Sequence, residues 1–363
     1  MDLEERLSLV LRNTEEVVTP EEIRNLLETK TEPKAYWGFE CSGFMHVGIG
    51  LVPGAKIRDM VKAGFNFTIF LADWHSWINN KLDGDMDNIR ACGEYFRHCF
   101  EALGVVSDKT KIVWAAEIAE DIGYWERVVR IAKASSLARV RRALTIMGRE
   151  LDASDIETAW VLYPCMQASD IFHLDLDVAA GGMDQRKAHM LARDSADKLG
   201  WKKPSCVHTP LVSGLQKPEI VEAERKFDED AALSRKISAK MSKSKPESCI
   251  FVHDTPKDIK FKMRNAYCPP KEAEGNPVLE FAQYIVFPAL GSLEVPRPPK
   301  YGGKIGFESY EALREAYLKG AVHPLDLKNG VAEALVRLLK PVREHFKRNP
   351  EPLERMRRIE TTR

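Results

Sequence analysis

Residues 40–49 read ECSGFMHVGI, with Gly43, His46 and Gly48 at the point where a strand pattern gives way to a helical one. Glycines let a ribose and phosphates approach the backbone, and a helix N-terminus with a histidine beside it faces negative charge. An H-x-G by itself is weak, because a histidine at a helix start more often caps or packs. Far downstream stands Lys240-Met241-Ser242-Lys243-Ser244, in a charged stretch. Two lysines three positions apart, on flexible chain with hydroxyl residues, can close over a triphosphate. The plain alternative is an ordinary basic loop. A third set is Tyr163, Gln167 and Asp170, spaced by four and three, so that one face of a helix carries all three. Such a row is either a solvated face or a pocket wall, and its apolar neighbours Val161, Leu162, Met166, Ile171 and Phe172 favour the wall. GGMDQRK at 181–187 follows, with glycines for close approach and Gln185 for the same cavity.

These residues need elements to hold them. Residues 35–40 and 66–72 read as short buried strands, and 54–63 between them as a helix closed by Gly64, a β-α-β unit. Ile89, Cys92, Phe96, Phe100 and Leu103 recur at helical spacing before Gly104, and 111–115 resembles the next strand. Helices are expected at about 124–148, 154–173 and 184–199, with strands at 177–182 and 206–212. The alternation implies an α/β fold, a Rossmann-type doubly wound parallel sheet. Residues 213–239 are charged, nearly free of apolar side chains and flanked by glycine and proline, and read as a surface insertion. From about 256 helical segments are separated by proline-rich connections such as EVPRPPK at 294–300. A chain of 363 residues exceeds the usual domain size. It therefore divides into a catalytic domain at 1–255 and a helical domain at 256–363.

Composition narrows the function. Lys plus Arg and Asp plus Glu both number 54, so no global charge announces a nucleic-acid partner. Local patches carry that argument: Arg127, Arg130, Lys133, Arg139, Arg141, Arg142 and Arg149 have no acid among them, and the tail after Arg337 is also basic. Charged helices of this kind are usually just solvated faces, and taken alone neither patch identifies an RNA contact. The seven cysteines show no C-x-x-C spacing, which argues against a disulfide framework and a zinc site. No apolar run approaches the roughly 20 residues that span a membrane, and the acidic start is unlike a leader, so a cytoplasmic location is expected.

Residues 240–244 match, letter for letter, the KMSKS signature of class I aminoacyl-tRNA synthetases, and 46–49 resembles their HIGH signature. Ile49 stands where that motif has its second histidine, and Cys41 where many relatives carry proline. The stretches AYWGFE, LADWHSWIN, YPCMQASDIFHLDLDVAAGGMDQRKAHMLARD and HPLDLKNGVAEAL resemble the tyrosyl-tRNA synthetases of archaea and eukaryotes, over almost the whole chain.

The resemblance implies ATP-dependent activation of L-tyrosine to tyrosyl-adenylate and its transfer to the 3'-terminal adenosine of tRNA(Tyr). Tyr36 and Asp170 would bind the phenol hydroxyl, Tyr163, Gln167 and Gln185 the ammonium group, and His75 would line the pocket. His46, Gly48, Lys240 and Lys243 would serve catalysis, with Gly43, Met241 and Ser242 completing the ATP site. Mg²⁺ would arrive with ATP, with no structural metal in the protein. Arg186 would meet the acceptor stem with Arg142 nearby. In a helical anticodon-binding domain Tyr301 would stack on a base that Asp326 reads, and the enzyme would act as a homodimer. On sequence alone Asp326 is also suited to cap a helix beginning near 329. Three rivals stand at this stage: the tryptophanyl enzyme with the same motifs, a small-molecule nucleotidyltransferase, and an inactive RNA-binding paralogue.

Overall fold

Runs of aromatic and β-branched residues alternate with amphipathic ones, and a chain so patterned buries strands between two layers of helix. The computed structural model, which describes residues 1–148, 156–217, 231–241 and 246–361, has this form. Six strands, β1 (Glu16–Val18), β2 (Lys34–Phe39), β3 (Asn66–Leu71), β4 (Thr110–Trp114), β5 (Val178–Gly182) and β6 (Ser205–Thr209), form one sheet in the order β1-β6-β5-β2-β3-β4. All neighbours run parallel except the edge strand β1, which pairs antiparallel with β6. From β2 the chain winds outward through β3 to β4, then returns to β5 on the other side of β2. That reversal opens a crevice between the carboxyl ends of β2 and β5, where open α/β sheets bind ligands.

Strand positions follow the sequence expectation within a residue or so, save that β6 stops at Thr209 and β1, only three residues long, gave no pattern to read. Helices α1 (Leu3–Leu11) and α2 (Pro20–Thr29) precede β2, and α3 (Val47–Lys62) links β2 to β3. Next, α4 (Asp73–Ile78) and α5 (Met86–Ala102) lead to β4. Then α6 (Ala115–Ala119), α7 (Ile122–Ala134), α8 (Leu137–Ala143) and α9 (Thr158–His173) lead to β5, and α10 (Arg186–Leu199) joins it to β6. The single helix expected over 124–148 is broken. Ser136 leaves the helix to cap α8, its hydroxyl accepting from the Arg139 backbone at 3.2 Å, and Gly148 closes the following 3₁₀ turn in a left-handed conformation, φ 73°.

The remainder is mainly helical: α11 (Ala231–Ala239), α12 (Pro256–Asn265), α13 (Pro277–Phe281), α14 (Phe287–Leu290), α15 (Tyr310–Leu318), α16 (Pro324–Leu338), α17 (Lys340–Arg348) and α18 (Glu351–Thr361), with a short hairpin of β7 (Leu293–Val295) and β8 (Ile305–Phe307). Period-two alternation sorts the core side chains. Trp37, Phe39, Ile69 and Leu71 enter one apolar cluster that continues through Phe96 and Phe100 to Leu335 and Met356, so the C-terminal helices pack onto the sheet's own α5. Tyr36 and Phe70 point to the other face and join Tyr124, Tyr163 and Met166. All seven cysteines are free thiols, six of them buried. Among the described residues no helix is long and apolar enough to cross a membrane.

Gly93 is where α5 lies close against Trp114 at the end of β4. A Cβ there would penetrate the indole of Trp114 and lie 3.2 Å from Cys41 Sγ. Gly93→Ala should therefore destabilise by about 1–3 kcal/mol despite its better helix propensity. Thermal unfolding checks this, and a Tm equal to or above the native value would refute the packing argument.

Candidate active site

The crevice at the strand reversal is a cavity of about 710 Å³, lined among others by Tyr36, Glu40, His46, Gly48, His75, Tyr163, Gln167, Asp170, Gln185, Lys240 and Met241. Its inner end is built around Asp170, which α9 presents with 1% of its surface exposed. A buried carboxylate must be surrounded by donors. Tyr124 on α7 donates to Oδ1 at 2.9 Å, and His75 Nε2 on α4 lies 3.1 Å from Oδ2, out of line for a directed hydrogen bond. Burial pulls the His75 imidazole down, but Asp170, with Asp73 and Glu40 behind it, outweighs this and holds it above its ordinary value. Burial, and after it the Asp170 charge, pushes the Tyr36 and Tyr124 phenols well up, so both stay neutral hydrogen-bonding groups.

The middle of the cavity is polar and less enclosed. Gln167 Nε2 donates to Gln185 Oε1 at 3.2 Å, and Gln185 Nε2 to the Ile146 carbonyl at 3.2 Å. Tyr163, its phenol raised first by burial and then by Glu40, donates to Glu40 Oε1 at 3.1 Å. Asn79 donates to the same oxygen at 2.6 Å, and Lys81 lies 3.5 Å from Oε2. This carboxylate suits a small organic cation in the pocket. Tyr124 and Glu40 carry no role in the sequence analysis. Glu40 was legible in principle, as the acid opening ECSGFMHVGI. Tyr124 had no signal, because nothing on α7 reveals that it turns toward α9.

At the outer end His46 begins α3 from the extended N-cap position, nearly buried. A Cβ at Gly48 would lie 3.1 Å from His46 Nδ1, so the glycine is what allows the imidazole to lie over the first helical turn. Val47 N donates to the Ile250 carbonyl and Val252 N to that of Met45, each at 2.9 Å. The chain just beyond the lysine motif is thereby paired with the H-x-G segment. Met241 N in turn donates to the Val212 carbonyl at 2.9 Å, holding the motif's first half at the same mouth. Lys240 Nζ reaches Asp184 Oδ2 of GGMDQRK at 2.6 Å. Ser242 and Lys243 lie outside the described residues. Gly43 turns the chain with φ 122°, but Ser42, not Gly43, lines the cavity.

The remaining expected positions are away from the cavity wall. Arg186, first residue of α10, is half-exposed, and its Nε donates to Glu16 Oε2 at 2.8 Å; His208 Nδ1 is 2.9 Å from the same oxygen. Arg142 is exposed on α8. Within the basic patch, Arg130 is paired with Glu126 and Arg139 with Asp194, which reduces its net field. Tyr301 is 61% exposed, with Lys300 Nζ 4.8 Å from its ring centre. Asp326 sits inside the first turn of α16 rather than before the helix. The cap is His323, whose ring accepts from the Leu325 backbone at 3.2 Å, and Pro324 starts the helix.

Residues 28–340 match the family described as tRNA synthetases class I (W and Y). The tyrosine–tRNA ligase of Aeropyrum pernix is 51% identical over 344 residues, covering 94% of this chain and 93% of that protein. That of Saccharolobus solfataricus is 45% identical over 359 residues, 99% and 97% of the two chains. Among solved structures, the tyrosyl-tRNA synthetase of Pyrococcus horikoshii complexed with L-tyrosine superposes with a TM-score of 0.91 at 45% identity, over 98% of this chain and all of that one. The tryptophanyl-tRNA synthetase of Aeropyrum pernix superposes at 0.68 with 17% identity, a likeness of fold.

The His75–Asp170 pair makes a pH dependence. Because the folded pKa of His75 is raised above the unfolded value of about 6.5, its contribution to stability is full below that pH and fades as pH rises through the folded value. The Tm difference between the native protein and His75→Gln should shrink on going from pH 5.5 to 9. A difference that is constant across that range would mean His75 is not charged beside Asp170.

Proposed function

The chain belongs to the class I tRNA synthetases for tryptophan and tyrosine, and from that premise we propose that the cleft holds tyrosine at its Asp170 end and ATP at its His46 end. Its activity is the ATP-dependent activation of tyrosine and the charging of tRNA with it. The observation that carries the reading of the pocket is the buried Asp170 carboxylate, with Tyr124, Tyr36 and His75 gathered round it. A phenol O–H arriving there finds a charged acceptor. A phenylalanine ring would leave that acceptor short of a donor in a buried site, the effect for which tyrosine against phenylalanine is the standard example. In this reading Tyr163, Gln167 and Gln185 hold the substrate ammonium, and Glu40 supplies the opposite charge.

The substrate carboxylate attacks the α-phosphorus. An O–P bond forms, the bond to the bridging oxygen breaks, and pyrophosphate leaves with the electron pair. Nothing on the protein is acylated, so the side chains position the reactants and stabilise charge. In this proposal His46, Lys240 and Lys243 stabilise the charge of the departing pyrophosphate, Gly48, Met241 and Ser242 serve the nucleotide site, and Gly43 turns the chain beside it. Mg²⁺ enters as part of the ATP substrate and shares that charge. Lys240 must exchange Asp184 for phosphate as ATP binds. A ribose hydroxyl of the tRNA's terminal adenosine then attacks the adenylate carbonyl, releasing AMP.

Arg186, steadied by Glu16, and Arg142 meet the acceptor stem in this proposal, and residues 256–363 serve as the anticodon-binding domain. There Tyr301 stacks on a base and Asp326 accepts its hydrogen bonds. An apolar surface supports a homodimer: Ile122, Val129, Leu137, Trp77 and Leu162 are exposed on the adjoining helices α4, α7, α8 and α9. One tRNA would then contact both subunits. The work is assigned to the cytoplasm.

Tyrosine alone, in a panel that includes tryptophan and phenylalanine, should support ATP–pyrophosphate exchange. Asp170→Ala should lower kcat/KM for tyrosine by about 2–4 kcal/mol. Tryptophan-dependent exchange without tyrosine-dependent exchange would overturn the specificity, and a kcat/KM within twofold of native would remove Asp170 from the pocket. Asp326→Ala should leave exchange and Tm nearly unchanged, since His323 supplies the cap. It should weaken charging of tRNA bearing the native anticodon and reduce discrimination against altered anticodons by about 1–3 kcal/mol, by analogy with base readout in DNA. Equal effects on every transcript, or none, would show that it reads no base.

A further inference from the structure

Helix α5 and helix α17 meet through two histidines that take no part in the cleft. His98 Nδ1 and His345 Nε2 are 2.8 Å apart, and Glu101, one turn beyond His98 on α5, brings Oε2 to 3.6 Å from that same Nδ1. The three donor atoms all lie within 4.8 Å of one another. None of the three residues lines the cavity. Two imidazole nitrogens so close cannot both carry protons, so a nitrogen lone pair is always directed into the contact. Glu101 is prepared in a similar way: its other oxygen accepts from Arg97 Nη1 at 2.8 Å, which orients the carboxylate and leaves Oε2 toward the histidines. Phe346 packs against both rings and shields one side, while the Glu101 side chain is 33% exposed, so the group is recessed yet open to a small ion.

We propose that His98, Glu101 and His345 form a site for a single Zn²⁺-type ion that ties α5 of the sheet region to α17 of the C-terminal helices. Two imidazoles and one carboxylate are a ligand set for Zn²⁺, Co²⁺ or Ni²⁺ rather than for Mg²⁺ or Ca²⁺, which favour oxygen alone. Metal–nitrogen bonds of about 2.0–2.1 Å at a tetrahedral angle place the nitrogens roughly 3.3 Å apart. The rings therefore need to separate by only about half an ångström. The exposed side leaves a fourth position for water. No spacing motif in the chain announced this site, because its histidines stand at 98 and 345 and only the packing of α17 on α5 unites them. The ion would not touch substrates. It would stabilise the folded arrangement by binding that form alone.

The test uses the full chain, stripped with a chelator and titrated with ZnCl₂ by calorimetry and with CoCl₂ by visible absorption, in the absence of tyrosine, ATP and tRNA. One equivalent of Zn²⁺ per chain should bind and raise Tm, and Co²⁺ should develop the d–d band of a four- or five-coordinate site. His98→Gln and His345→Gln should each weaken Zn²⁺ binding at least tenfold and abolish the Tm rise, with tyrosine-dependent pyrophosphate exchange retained. Glu101→Gln, which leaves both imidazoles in place, is the reserve variant if a histidine change impairs folding as judged by circular dichroism; it too should weaken binding. Failure of the native chain to bind, or binding equally tight in all the variants, as free cysteines elsewhere would give, overturns the site. Because exchange is read separately, neither result bears on the tyrosine pocket.

Discussion

A carboxylate with 1% of its surface exposed is tolerated only where polar groups surround it, and Asp170 on α9 draws them from three other elements. Tyr124 of α7 donates to it, His75 of α4 lies 3.1 Å from it, and Tyr36 of β2 is near enough to feel its charge. Each of the three is also part of the apolar cluster on that face of the sheet or packed against one that is: His75 stands edge-on to Phe70 and to Tyr163. The packing thus holds the carboxylate in place at the inner end of the cleft, and in the proposed function it is this carboxylate that a tyrosine phenol meets.

The second constraint is backbone pairing. The H-x-G turn and the lysine motif are far apart in sequence and belong to different parts of the winding. Main-chain hydrogen bonds between Met45 and Val252 and between Val47 and Ile250 tie the H-x-G turn to the chain just beyond the lysine motif, and Met241 N, bonded to the Val212 carbonyl, holds the motif's first half nearby. Gly50 shows how close this junction is: a Cβ there would approach Val252 Cγ1 to 2.8 Å. The ion pair between Lys240 and Asp184 lies at the same mouth and gives the lysine a defined place in the cleft.

The C-terminal helices are not an appendage. Leu335 and Met356 lie in the same apolar cluster as Phe96 and Phe100, and α18 packs along α5. The C-terminal helices are therefore mechanically connected to α5, which lends Phe96 to the cleft wall, and the His98–His345 contact falls on that connection.

Strong local patterns were legible in the chain itself. Strands β2 to β5 are short runs of buried side chains bounded by turn residues, so period and punctuation locate them almost to the residue, and their alternation with helices dictates a parallel sheet. The H-x-G, the lysine pair and the Tyr163–Gln167–Asp170 row were also visible, because helical spacing alone puts the last three on one face. What spacing cannot carry is anything that depends on a distant partner. Ser136 breaks a helix that amphipathic pattern would continue, since a side-chain cap competes locally with the helix, and α16 starts at Pro324 under a His323 cap, so that Asp326 lies inside the helix rather than capping one that begins near 329. Tyr124 reaches Asp170, Glu40 reaches Tyr163, and His98 reaches His345 only because elements far apart in sequence are packed within a few ångströms. Sequence by itself determined which residues were chemically suited and which elements would carry them, since propensity and periodicity are short-range. Only the tertiary structure decided which of those groups meet, because contact energies act over distances that the order of residues does not record.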